Sequence, residues 1–140
     1  MVDHEPEPAG ELVEERFDAH RLASLRRLVA RAAAAVGITG ERADDVVMAV
    51  NEIATNAVAH AGGSGLLRVW VGHGRLLCEV RDQGAGLPAD GLGGRPPPPP
   101  VATSGRGLWL ARQVSTVTVN TGPTGTTVRL AFRLPGRPAT

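Results

Sequence analysis

Between Gly93 and Gly107 the chain reads GGRPPPPPVATSGRG, and the five prolines at 96–100 split its regular structure into two parts. A proline ring fixes φ and removes the N–H donor, so the run can neither continue a helix nor pair inside a sheet. Residues 84–104 are dense in glycine and proline, with six of the eleven prolines, and show no apolar periodicity, which makes them one long loop. Loops of that length inside a compact domain are functional lids or disordered segments. A chain of 140 residues fits a single core, so the sequence on both sides of the loop has to build one domain.

Before the loop, residues 11–17 suit a short edge strand, followed by DAHRLASLRRLVARAAAAVG with Leu22, Leu25, Leu28, Val29, Ala32 and Val36 at helical spacing. Asp18 is placed to cap that helix and Gly37 to stop it. A second helix is expected from a Thr39 cap, with Glu41 in its first turn and Val46, Val50, Ile53 and Ala57 on its apolar face, up to Gly62 and Gly63. LLRVWV and LLCEVRD then read as strands joined at Gly72-His73-Gly74, a hairpin signal. After the loop, GRGLWLARQV suits a short helix, and STVTVNT and TTVRLAFRL suit two strands about a Gly122–Gly125 turn. The order β, α, α, β, β, loop, α, β, β predicts an α+β fold with helices on one face of a mixed or antiparallel sheet.

Charge and composition remove several function classes. Fifteen basic residues face 14 acidic ones, leaving no basic stripe for a nucleic-acid backbone. All the basic residues are arginine, and without lysine both the P-loop site and the common eukaryotic-type protein kinase are excluded, since each sets a lysine on the phosphates. Cys78 is the single cysteine; it allows no internal disulfide or cysteine zinc cluster and reads as a core filler. His4, His20 and His73 lack metal-ligand neighbourhoods, and Trp70 and Trp109 read as packing residues. The opening MVDHEPEPAG is acidic and unlike a signal peptide, and no apolar run approaches a membrane span, so a cytoplasmic protein that does not enter the membrane is expected.

Four groups of residues carry the chemistry. Glu52, Asn56 and His60 are spaced four apart and form one helical stripe, readable as a solvated face or as a site. Asp82 alternates with Leu76, Cys78 and Val80, which turns a carboxylate toward the helices. Such a group needs hydrogen-bond donors, from a ligand or from the turn at Gly84 that it could cap. Gly84 and Gly86 in DQGAG let backbone pass close to a flat ring. GRGL, Gly105 to Leu108, opens a helix, where free N–H groups and Arg106 can face phosphates or simply form a helix entry.

In this order, Glu52-x-x-x-Asn56-Ala57-x-x-His60, Asp82-x-Gly84-x-Gly86, Gly105-Arg106-Gly107-Leu108 and Gly125-Thr126 resemble the GHKL ATPase superfamily, and within it the RsbW-type anti-sigma-factor serine kinases, from about residue 11 to 134. The resemblance implies a two-layer α/β sandwich of the Bergerat type, with about three helices on one face of a mixed, mostly antiparallel sheet. It implies a tail over 1–10, an ATP-binding domain over 11–135 with a lid at about 87–104, and a second tail over 136–140. It makes ATP and magnesium the cofactors, Asn56 the magnesium ligand and Glu52 the general base for a partner's serine hydroxyl. Asp82 would accept from the adenine amino group with help from Thr126, directly or through water; Gly84 and Gly86 would line the adenine pocket; Gly105, Arg106, Gly107 and Leu108 would wrap the phosphates. His60 would pack or give support, and the proline run would act as a semi-rigid spacer in the lid. The implied partners are a sigma factor and an antagonist protein, with homodimerisation a family expectation and no direct nucleic-acid contact. A non-catalytic ATP-binding module that sequesters its partner is the alternative, and a detached histidine-kinase catalytic domain a third. Trp109 and the proline run depart from the usual lid pattern.

Overall fold

The computed structural model describes residues 12–60, 63–82, 111–122 and 125–135. The expected lid, both tails, Trp109 and the start of the third helix lie outside them. Chain order is β1 (Val13–Asp18), a 3-10 turn (Ala19–Arg21), α1 (Leu22–Ala35), α2 (Gly40–His60), β2 (Ser64–Gly72), β3 (Arg75–Asp82), β4 (Thr116–Gly122) and β5 (Gly125–Arg133). Residues 111–114 are also helical.

Local chemistry sets the helix ends. Asp18 does cap, but it caps the 3-10 turn: its Oδ1 accepts the His20 N–H at 2.9 Å, and α1 proper starts at Leu22 without a side-chain cap. At the other end Ile38 N–H donates to the Ala33 carbonyl (2.9 Å) and Gly37 N–H to that of Ala34 (3.0 Å). This crossed pair is a Schellman motif, and both residues at its ends, Ala33 and Ile38, are buried. Leu25, Val29 and Ala33 form the buried seam of α1, while Leu22, Leu28, Ala32 and Val36 pack at its margin. On α2 the whole expected face, Val46, Val50, Ile53 and Ala57, is buried, with Ala49 and Ala54 beside it.

The sheet has the order β1-β2-β3-β5-β4. Each neighbouring pair is antiparallel, which narrows the expected mixed sheet to a wholly antiparallel one among the described strands. Two connections explain this. The α1–α2 pair returns the chain to the end where β1 left off, so Ser64 starts β2 opposite Asp18 and runs back. β3 and β4 run the same way, but β5 inserts between them and no parallel pair forms. The β2–β3 hairpin closes on His73 and Gly74, whose φ values of 54° and 74° mark a type I′ turn.

The sheet's two faces are chemically different. Leu67 and Val69 of β2, Leu76, Cys78 and Val80 of β3, and Leu130 and Phe132 of β5 point to the helices and form one core with them and Ala111. On the opposite face Trp70 and Leu77 are buried, and between the flanking arginines lies Glu79, 0% exposed. Arg129 Nη2 donates to Glu79 Oε2 at 2.8 Å and Arg68 Nη1 to Oε1 at 3.3 Å. Arg81 Nε lies 3.2 Å from Oε1 as an ion pair, without the alignment of a hydrogen bond. The guanidinium carbons of Arg68 and Arg129 sit 5.4 and 5.1 Å from the Trp70 ring centre, within cation–π range.

Glu79→Gln should therefore cost about 3–5 kcal/mol, because it leaves clustered guanidiniums without their counter-charge. A urea midpoint within experimental error of the parent would refute this. Burial also pushes the Cys78 thiol from 9.0 up to about 12. A raised folded value means a contribution to stability present below the unfolded value and lost as pH rises through the folded one. Stability should thus decline between about pH 9 and pH 12 more steeply in the parent than in Cys78→Ala, followed by denaturant titrations across that range.

Candidate functional site

Asp82 is the last residue of β3 and continues the inward alternation of Leu76, Cys78 and Val80 at the edge of the core. It is half-buried. Gly65 of β2 pairs with it on one side. On the other, β5 supplies Thr126, whose backbone N–H donates to Asp82 Oδ1 at 3.2 Å. A Cβ on Gly125 would run into the Asp82 carbonyl oxygen and lie 3.1 Å from Oδ1, and the φ of 142° there disfavours any side chain. Glycine at 125 is what lets β5 approach the carboxylate. Thr126 meets Asp82 through its amide, while its hydroxyl lies 2.6 Å from that of Thr121.

Sequence reasoning passes over Gly65. Phe17 pairs directly opposite it on β1, and a Cβ at 65 would sit 2.6 Å from the Phe17 ring and 2.9 Å from the Arg81 carbonyl. The missing side chain lets the ring close the core immediately beside Asp82. A glycine heading the apolar run LLRVWV was the available signal, but only strand register gives it meaning.

Glu52 and Asn56 lie one turn apart on α2, both half-buried and flanked by buried Ile53 and Ala57. Glu52 makes no hydrogen bond or ion pair with another described residue. Its neighbour Asn51 is engaged differently, accepting from Arg26 Nη1 at 3.1 Å and tying α2 to α1. α2 packs on β2 and β3, and its last residue, His60, precedes by a short connection the strand end that pairs with Asp82. The polar stripe therefore runs toward the Asp82 end of the inner face. Gly84, Gly86, Gly105, Arg106, Gly107 and Leu108 lie outside the described residues, as does the side chain of His60.

No group of three or more His, Cys, Asp or Glu side chains that could hold a metal ion occurs among the described residues. No helix among them is long and apolar enough to cross a membrane.

The chain is similar to the histidine kinase domain of the blue-light activated histidine kinase EL346 of Erythrobacter litoralis, at 25% identity and a TM-score of 0.54, covering 81% of this chain and 65% of that one. It also superimposes on the RsbU and RsbW domains of Rv1364c of Mycobacterium tuberculosis, with a TM-score of 0.62 over 94% of this chain and 35% of that one. A third likeness is to the histidine kinase AdeS of Acinetobacter baumannii, with a TM-score of 0.54 over 90% of this chain and 70% of that one. At 21% and 10% identity the last two show the fold alone. The chain spans less than two thirds of the first two structures. Among curated proteins no relative is found. The model of the histidine kinase-like ATPase domain matches residues 16–132, which is most of the sequence and the whole of the described sheet except the start of β1 and the end of β5. With its antiparallel sheet, its covering helices and a carboxylate fixed at the sheet's end, the chain belongs to the histidine kinase-like ATPase domain family.

Proposed function

We propose that this chain is an ATP-dependent protein serine kinase of the anti-sigma-factor type, which binds a sigma factor and phosphorylates an antagonist protein. The observation that carries the nucleotide part is the fixed carboxylate of Asp82, held by the Thr126 amide at the end of the face on which α2 lies. A carboxylate oriented by a backbone donor, with glycines on both flanking strands, is a natural acceptor for the exocyclic amine of adenine. The likeness to the structure containing an RsbW domain supports the choice of partners, and the histidine kinase likenesses support phosphoryl transfer.

On this reading the stripe on α2 supplies the chemistry. Asn56 would offer an amide oxygen to magnesium, which takes few protein ligands when substrate phosphates complete its shell, and Glu52 one turn away would serve as the base. Bound ATP with magnesium would supply a transferable γ-phosphoryl group whose charge is partly neutralised. Glu52 takes the proton of the partner's serine hydroxyl as that oxygen bonds to phosphorus, and ADP leaves. Gly105, Arg106, Gly107 and Leu108 would hold the phosphates by N–H groups and the Arg106 charge, which a lysine-free chain requires. Gly84 and Gly86 would border the adenine.

Asp82→Asn replaces an acceptor oxygen with a donor, and Gly125→Ala pushes β5 off the carboxylate. Each should weaken ATP binding by roughly tenfold or more in calorimetry, and unchanged affinity in both folded variants would remove adenine from this end of the sheet. Glu52→Gln should leave ATP affinity within a few-fold while lowering phosphate transfer to the captured antagonist by about a hundredfold or more. Undiminished transfer would take the base role from Glu52; ATP binding without transfer by the parent protein would favour a sequestering module.

A further inference from the structure

The end of the sheet opposite Asp82 carries a second polar site. Arg75 opens β3 and Arg133 closes β5, and the two are direct cross-strand partners. Side chains so placed have Cβ atoms about 4.5–5.5 Å apart, and like charges there repel. Elsewhere on this face the chain neutralises its arginines: Arg68, Arg81 and Arg129 converge on Glu79, and Arg68 also meets Glu14 at 3.1 Å. Arg75 and Arg133 form no ion pair with an acidic group among the described residues. A third arginine comes from the helix layer: Arg42 in the first turn of α2 donates through Nη2 to the backbone carbonyl of Arg133 at 2.5 Å.

These three arginines line one cavity of about 370 Å³ together with Ser115 and Thr116. The Ser115 hydroxyl hydrogen is spent on the Ala111 carbonyl (2.7 Å), which leaves the exposed Thr116 as the hydroxyl donor. β3 separates the cavity from Asp82 by roughly 24 Å at 3.4 Å per residue, so it is not part of the nucleotide site.

We propose that this corner binds a phosphate group, free or as a small phosphomonoester. Guanidinium forks match phosphate oxygens in pairs, and three of them offer more donors and charge than one carboxylate can absorb. The volume suits a small ligand. An anion between Arg75 and Arg133 relieves their repulsion, so binding stabilises the fold by mass action.

Inorganic phosphate and O-phosphoserine would each be titrated into the purified chain by calorimetry and thermal melting, with sodium chloride at matched ionic strength as the reference. Both should bind and raise the melting temperature beyond chloride, a tighter phosphoserine pointing to a monoester and equal affinities to the free ion. Arg75→Gln combined with Arg133→Gln should weaken phosphate roughly tenfold or more. Arg133→Glu gives Arg75 a built-in partner, so it should melt higher than the parent without phosphate and lose the response. Equal responses to phosphate and chloride, or a phosphate response retained in Arg133→Glu, would overturn the proposal. ATP affinity, measured alongside, reports separately on the Asp82 end.

Discussion

The antiparallel register of β3 against β5 orders the core, the buried Glu79 cluster and both ends of the sheet. It runs from Arg75 opposite Arg133 to Arg81 opposite Thr127, and its continuation brings the Thr126 amide to Asp82. The same register sets Glu79 against Arg129 and Cys78 against Leu130. Because side chains alternate, a slip by one residue would send the core set to the outer face and Glu79 into the helices. Burial of Leu76, Cys78, Val80, Leu130 and Phe132 against α1 and α2 forbids that slip. Packing on one face thus fixes electrostatics on the other and at both ends.

Features governed by nearby residues were legible in the sequence. Gly37 stops α1, the apolar face of α2 is as its spacing predicts, and Gly72-His73-Gly74 makes the tight hairpin. Asp82 was legible as inward-facing because alternation over one strand suffices. Features that need two distant segments were not. Nothing local shows that β5 lies between β3 and β4, that Gly65 leaves room for Phe17, or that Thr126 supports Asp82 by its amide. Asp18 was displaced from helix cap to turn cap because a 3-10 turn intervenes, a choice of a few backbone angles that composition does not encode. Glu79 is not legible either, since a charged residue in LLCEVRD reads as the solvated face of a strand, and its three arginines come from β2, β3 and β5.

The all-arginine composition gains meaning from that outer face. A coding bias accounts for an absence of lysine, but not for where the arginines stand. Two guanidiniums lie over the Trp70 ring while donating into one carboxylate, a double role that a planar, weakly hydrated cation can fill and an ammonium group cannot. With two guanidiniums over Trp70 and both Trp70 and Leu77 buried, this face shows water little of its large apolar side chains.

Two carboxylates on β3, three residues apart, show how position within one strand divides structure from chemistry. Glu79 is in mid-strand, sealed by cross-strand arginines on both neighbours, and its charge is consumed in holding the outer face together. Asp82 is at the strand's end on the opposite face, half-buried, and its Oδ1 accepts from the Thr126 backbone amide. Mid-strand position encloses Glu79 completely, whereas the strand end leaves Asp82 partly exposed, its direction still fixed by register.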